Sequence, residues 1–168
     1  YQSLYDNTTG ANNTAVGRRA LADNTEGTFN TSVGYNSLLF NTTGDFNTAL
    51  GVQALNSNTT ADASTAVGYQ SLYNSTGASN TGLGYHSLFS NDTGTSNVGI
   101  GRAALYSNTT GANNVALGRD AGNTLTTGSN NTLLGYGAQP SSATVSNEVT
   151  IGNDDVDSFR IPSMGLNF

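Results

Sequence analysis

An aliphatic–glycine pair recurs along this chain and fixes a period of 17 residues. The pairs are Val16-Gly17, Val33-Gly34, Leu50-Gly51, Val67-Gly68, Leu83-Gly84, Ile100-Gly101, Leu117-Gly118, Leu134-Gly135 and Ile151-Gly152. Their spacings are 17, 17, 17, 16, 17, 17, 17 and 17. Such regularity commits the chain to stacked units, each burying its apolar side against the next. The consensus reads N-T-A-[VLI]-G-[YR]-x-[AS]-L-x-x-N-T-T-G-x-x. Tyr1-Gln2-Ser3-Leu4-Tyr5 matches Tyr69-Gln70-Ser71-Leu72-Tyr73, so the sequence opens inside a repeat and reads as a piece of something longer.

The columns of the repeat predict short strands. Two residues before each glycine stand Thr14, Thr31, Thr48, Thr65, Thr81, Val98, Val115, Thr132 and Val149, all β-branched. Strand side chains alternate, so these residues share a face with the aliphatic two residues on, and the two columns together are expected to supply one thin core. The small residues between them, among them Ala15, Ser32, Ala49, Gly82 and Gly99, are expected on a face crowded by a neighbouring strand or chain. The glycine marks a corner needing positive φ or close backbone approach. N-T-T-G is turn chemistry, and the one short spacing falls there, at Tyr73-Asn74-Ser75-Thr76-Gly77.

A helical repeat fails, because Asn 23, Thr 24, Ser 18 and Gly 21 fill 86 of the 168 positions, and these residues form helices poorly. The fold class expected is all-β, a parallel β-solenoid or β-roll of about nine 17-residue coils. At about 4.8 Å per coil it would be roughly 43 Å long. Residues 1–152 are the array, and residues 153–168, with Ser158-Phe159-Arg160-Ile161-Pro162, are a cap or a transition to a following module. Asn13, Asn30, Asn47, Asn80, Asn97, Asn114 and Asn131 form a column, interrupted by Ser64 and ended by Glu148, whose amides are expected to bond along the axis. A second apolar column holds Leu21, Leu38, Leu55, Leu72, Leu88 and Leu105. A coil this narrow leaves one apolar stripe wet, and a long wet stripe marks an interface; the leucine column is the expected one. The pattern lapses at Gly122, which takes a leucine position, and at Gln139-Pro140-Ser141-Ser142.

Composition excludes several classes. There is no Cys, hence no disulfide framework or thiolate metal site. Five Arg, no Lys and a pI near 4.2 argue against a nucleic-acid surface. No apolar run approaches the ~18 residues of a membrane helix, and no signal peptide is visible.

The N-T-A-V-G-x-x-A-L run resembles the head repeats of YadA-type trimeric autotransporter adhesins, over residues 1–152. The family's repeat is shorter, and the N-T-T-G loop departs from it. The resemblance implies a left-handed parallel β-roll assembled as a homotrimer. The 17-residue form also resembles repeats of phage and prophage tail fibres, where a closing segment like Ile151 to Pro162 precedes a cleaved C-terminal chaperone. Up to Phe168 the sequence shows no such chaperone. Both resemblances imply a fibrous homotrimer touching a surface, and neither supplies catalytic residues.

No nucleophile–base set is visible, so the chain is not expected to be an enzyme, and no metal or cofactor is expected. His86 stands alone in a variable column with Arg19, Asn36, Gln53, Gln70, Ala103, Asp120 and Gly137; a surface role competes with a metal site on a threefold axis. Asp154, Asp155 and Asp157 lack calcium-loop spacing and read as a solvated turn. The column after the corner glycine holds Arg18, Tyr35, Tyr69, Tyr85, Arg102, Arg119 and Tyr136, with Val52 the exception. Tyr and Arg are enriched at binding hot spots, so these seven are the candidate binding ladder, against the alternative of a stacking ladder that stiffens the roll. Thr8-Thr9, Thr42-Thr43, Thr59-Thr60 and Thr109-Thr110 form a threonine ladder, which brings in ice binding as a minor alternative. Asn7, Asn41 and Asn108 match glycosylation sequons by composition.

The function expected is a fibrous structural and attachment protein, a trimeric phage or prophage tail-fibre segment contributing to host-surface recognition. The alternatives are the head of a bacterial trimeric adhesin, an ice-binding solenoid and the non-catalytic part of a depolymerase. Partners are the chain itself and a cell-surface glycan or outer-membrane receptor, without nucleic acid or membrane insertion. The location expected is a virion tail fibre or the cell surface.

Overall fold

The computed structural model describes residues 2–157 and the backbone of 160–161 and 166–167. Residue 1 and residues 158–159, 162–165 and 168, which take in Ser158, Phe159 and Pro162 of the expected cap, lie outside the described residues. Nine three-residue strands fall at the aliphatic–glycine repeats: β1 Thr14–Val16, β2 Thr31–Val33, β3 Thr48–Leu50, β4 Thr65–Val67, β5 Thr81–Leu83, β6 Val98–Ile100, β7 Val115–Leu117, β8 Thr132–Leu134 and β9 Val149–Ile151. They form one sheet in sequence order, and each strand pairs in parallel with the next. Register follows the repeat, Thr48 opposite Thr65 and Thr65 opposite Thr81. The chain is an all-β parallel solenoid of about eight turns, one fewer than the nine coils expected. Coil n is numbered below from strand βn. A short antiparallel pair, β10 Arg160–Ile161 with β11 Leu166–Asn167, follows the array.

The strand faces are the reverse of the expectation. The small middle residues point inward: Ser32, Ala49, Ala66, Ala116 and Leu133 are fully buried. The flanking Thr/Val and aliphatic columns point outward, with Val16, Val33, Leu50, Leu83, Leu117 and Ile151 exposed. The leucine column is the core instead of the wet stripe. Leu21, Leu38, Leu55, Leu72, Leu88 and Leu105 have no exposed surface and pack against the small column. The physical reason is width: in a coil this narrow a leucine reaches the opposite wall, which leaves room there only for Ala, Ser or Gly.

Leu133 is the exception that fixes the rule. It is the one leucine in the small column, and it lies above Gly122, the one glycine in the leucine column; a Cβ on Gly122 would meet Leu133 Cδ1 at 2.5 Å. The bulk has moved from one wall to the other and the section stays filled.

The turns use left-handed backbone freely. Besides glycine, the leucine column (Leu55 φ 49°, Leu72 φ 53°), the column holding Gln70 and His86, and the residue before each strand-leading Asn all have positive φ. Each such residue costs about 1 kcal/mol or more intrinsically. Coil-to-coil hydrogen bonds offset this: Leu55 N–H donates to Ser71 O at 3.1 Å and Leu72 N–H to Ser87 O at 2.9 Å. The corner glycine meets both reasons given for it. Gly68 has φ +128°, and a Cβ there would lie 2.6 Å from Gly84 O.

Candidate functional site

Three surfaces follow from this layout. The first is the outward sheet face, two columns wide and without a charged residue from Thr14 to Ile151. A threonine, or a valine at Val98, Val115 and Val149, alternates with the aliphatic, so the face is uncharged but not flat.

The second is the Tyr/Arg column at the sheet's glycine corner. All seven candidates are exposed: Arg18, Tyr35, Tyr69, Tyr85, Arg102, Arg119 and Tyr136. They also stack. Tyr69 and Tyr85 lie 5.4 Å apart between ring centroids, 12° from parallel. The Arg18 guanidinium covers Tyr35 at 5.6 Å, and Arg119 covers Tyr136 at 5.4 Å. Stacking along the axis turns ring faces toward neighbours and ring edges toward solvent. Six of the seven are thus both exposed and paired within the ladder, while Arg102 pairs with Asp120 at 3.4 Å; Tyr136 is the most open ring at 59% exposed.

The third surface lies beyond that corner in coils 4 to 6. Tyr73, Phe89 and Tyr106 form a continuous stack, with centroids 5.4 and 5.3 Å apart and planes within 7° and 5°. His86 sits between this stack and the tyrosine ladder, 3.9 Å from the Tyr85 ring and 4.9 Å from Phe89. Its Nε2 bonds Gln70 Oε1 at 2.8 Å, while Gln70 Nε2 donates to Gln53 Oε1 at 2.8 Å. The Gln70 amide thus offers its oxygen to His86, which makes Nε2 the donor and leaves Nδ1 with the lone pair. Burial, and then the nearby Arg102 charge, lower the His86 pKa below its ordinary 6.5 and favour this neutral form. From the sequence alone His86 reads as a lone residue in a variable column. The signal was available in the aromatic residues Tyr73, Phe89 and Tyr106, which share one column in three successive coils.

The polar ladders are structural. In the column Asn13 to Asn131 the side-chain oxygen accepts the next coil's backbone N–H, as in Asn47 N–H to Asn30 Oδ1 at 2.9 Å, and Nδ2 donates to a glycine-turn carbonyl, Asn30 to Gly44 O at 2.8 Å. Amide-to-amide bonding belongs chiefly to the other asparagine of the repeat, in N-T-T-G: Asn24 to Asn7, Asn41 to Asn24 and Asn58 to Asn41, each at 2.8 Å. Two of the sequon asparagines, Asn41 and Asn108, are fully buried in this ladder. The first threonine of three of the four pairs bonds the next coil's backbone, Thr8 Oγ1 donating to Thr25 O at 2.8 Å, Thr42 Oγ1 to Thr59 O at 3.0 Å and Thr109 Oγ1 to Thr126 O at 3.1 Å.

At the C-terminal end an open depression of about 320 Å³ is lined by Gly137, Gln139, Thr150, Gly152, Asn153, Asp154 and Asp155. Asp155 accepts a hydrogen bond from Asn153 Nδ2 at 2.9 Å. Among the described residues, no three His, Cys, Asp or Glu side chains are placed to hold a metal ion, and no helix is long and apolar enough to cross a membrane.

The chain matches no protein-family model, and no curated protein or solved structure matches it.

Proposed function

We propose that the chain is a fibrous structural and attachment segment that assembles as a homotrimer, of the kind found in phage or prophage tail fibres. It would work at a virion or cell surface, where it meets a glycan or outer-membrane receptor. The observation that carries this reading is the outward sheet face. It runs through nine strands, about 38 Å at ~4.8 Å per step, and carries β-branched and aliphatic side chains only. The solenoid fills its own core with the Leu and small columns, so its interior has no use for this face. A continuous uncharged stripe of that length calls for a partner of equal length and period, and another copy of the chain supplies both.

The head of a bacterial trimeric adhesin is the second reading, favoured by the N-T-A-[VLI]-G strand. Ice binding, in contrast, needs a flat and regular face. Here the aliphatic column mixes Val, Leu and Ile, and Val98, Val115 and Val149 replace threonine, a relief suited to interdigitation with another chain.

Sedimentation of the chain tests the assembly. Leu50→Asp with Leu83→Asp alters only exposed positions of a single solenoid, so each chain keeps its fold. The parent is expected to sediment as a trimer and the double variant as a folded monomer. A parent that is a folded monomer at micromolar concentration overturns the reading, and a parent that halts ice growth moves the face to the ice-binding alternative.

A further inference from the structure

A closed trimer cannot join like to like: each of its joints brings together two different edges, one from either neighbour. The outward sheet face has two such edges. Its entry edge is the residue before the strand-leading Asn, and its exit edge is the residue after the corner glycine. Closure also forbids stagger, because an offset of one coil per chain would accumulate to three coils, about 14 Å, on returning to the first chain. The entry residue of each strand therefore meets the exit residue of the same strand in the next chain.

The two columns fit each other in that register. Ala63 before β4 is matched by Tyr69 after it, Ser79 before β5 by Tyr85, and Ser96 before β6 by Arg102, small against large. At β3 the sizes change places. Phe46 takes the entry position, and the exit position holds Val52, the only residue of its column between Arg18 and Tyr136 that is neither Tyr nor Arg. At β2 both residues are aromatic, Phe29 and Tyr35, and such rings meet well edge to face.

Within its own chain Phe46 is poorly covered. It stacks on Phe29 with centroids 5.3 Å apart and planes 3° from parallel, yet the two rings are 60% and 53% exposed. Both residues have left-handed backbone, φ 59° and 56°, which bulky side chains rarely adopt. Exposed rings held on such backbone point to a contact outside the chain. We propose that Phe46 packs against Val52 of the partner subunit at each joint of an unstaggered trimer, and that the Tyr/Arg column is the other half of that joint. The inference rests on the homotrimer reading and assigns which edges meet and in which register.

Cysteine pairing tests it, since the chain has no Cys of its own. Phe46 and Val52 stand at opposite ends of β3, more than about 10 Å apart along the strand, so a disulfide between these positions has to join two chains. After mild oxidation, Phe46→Cys with Val52→Cys is expected to run as a covalent trimer in a denaturing gel, and Ser96→Cys with Arg102→Cys likewise. All four positions are exposed, so the fold is kept. Phe46→Cys with Tyr69→Cys, one coil out of register, is expected to stay unlinked. Val52→Tyr gives a second readout. In a single chain it places a ring between Tyr35 and Tyr69 and keeps the fold, whereas in the trimer it overpacks the joint against Phe46. Half-assembly by sedimentation is then expected to need at least about tenfold more protein, and Phe46→Ala in the same chain to restore it. Trimers in which either in-register pair fails to link, in which the out-of-register pair links as readily, or which assemble unchanged with Val52→Tyr overturn the proposal and leave the homotrimer reading standing. A parent that sediments as a folded monomer overturns both.

Discussion

Asn41 donates from Nδ2 to Asn24 Oδ1, one coil back, at 2.8 Å, and from the same nitrogen to Gly44 O at 3.0 Å. Both amide hydrogens are thereby used inside a fully buried side chain, and its oxygen accepts from Asn58. The ladder ends where the repeat changes: Leu125 takes the next position after Asn108, and Asn108 Oδ1 is left without a partner.

This ordering predicts unequal costs along one column. Asn41→Ala strands a donor on Asn58 and an acceptor on Asn24, and buried polar groups without partners cost roughly 1–3 kcal/mol each. A loss of about 3 kcal/mol is expected. Asn108→Ala should cost about 1 kcal/mol less, because its oxygen bonds nothing in the parent. Denaturant melts of the two variants read the difference, and equal losses would mean that the amide ladder carries no stability of its own.

The same burial bears on glycosylation. Asn41 and Asn108 lie in sequons, yet their nitrogens are bonded and inaccessible to a transferase acting on the folded chain. Incubation of folded protein with an oligosaccharyltransferase should leave both unmodified by mass spectrometry. Modification of either would require that coil to open.

At the corner, Gly68→Val puts a branched side chain at φ +128° and drives its Cβ toward Gly84 O, 2.6 Å away. The obstacle is backbone, which cannot swing aside as a side chain can. A loss of at least about 2 kcal/mol is expected, against about 0.5 kcal/mol or less for Asn74→Ala at an exposed loop position. Equal thermal shifts for the two would remove the corner from the account.

The period, the strand positions, the corner and the loop deletion were legible in the sequence, because each rests on a residue whose backbone preference is strong. Which strand face is core was not. A three-residue strand offers one in–out choice, and Thr-Ala-Val reads equally as branched-in or small-in by hydropathy. What decides is size: Ala, Ser or Gly faces Leu in coil after coil, and Leu133 faces Gly122. The left-handed leucines were illegible for another reason, since leucine has no preference for that conformation and takes it here only because the coil-to-coil bonds demand it. The Tyr/Arg column is exposed, as its composition led one to expect. Its self-stacking is the stacking ladder that the sequence already offered as the alternative; the packing of His86 against Tyr85 and Phe89 depends on which residues are neighbours across columns, a relation that one column at a time does not display.

Acid should loosen the C-terminal coil first. Glu148 ends the asparagine column, and its carboxylate accepts from the Ser141 hydroxyl, the Ser141 N–H at 2.8 Å and Thr150 Oγ1 at 3.2 Å. These bonds, that from the Ser141 hydroxyl foremost, hold its pKa below the ordinary 4.5. Their contribution is complete above that value and is lost as pH falls through the lower value of the folded chain. Amide exchange at residues 141–150 should quicken in that range, and Glu148→Gln should remove the pH dependence there. Exchange that quickens uniformly along the solenoid would assign the effect to net charge.

The exchange of bulk between Gly122 and Leu133 can be run backwards. Leu133→Ala restores the small column but leaves a void over Gly122, and a leucine truncated in a packed core costs about 2–5 kcal/mol. Gly122→Leu alone restores the leucine column but drives its side chain into Leu133, whose Cδ1 lies 2.5 Å from where the new Cβ would stand. Gly122 also has φ +61°, the conformation in which Leu105 already sits at φ 52°, so the backbone accepts leucine once the space is free. The double variant Gly122→Leu with Leu133→Ala makes this coil resemble the one before it, Leu105 over Ala116. It should therefore be more stable than either single variant, with a favourable coupling of at least about 1 kcal/mol in a double-mutant cycle. Additive losses would show that the two walls are filled independently, and the size rule that assigns the inward face would fall with them.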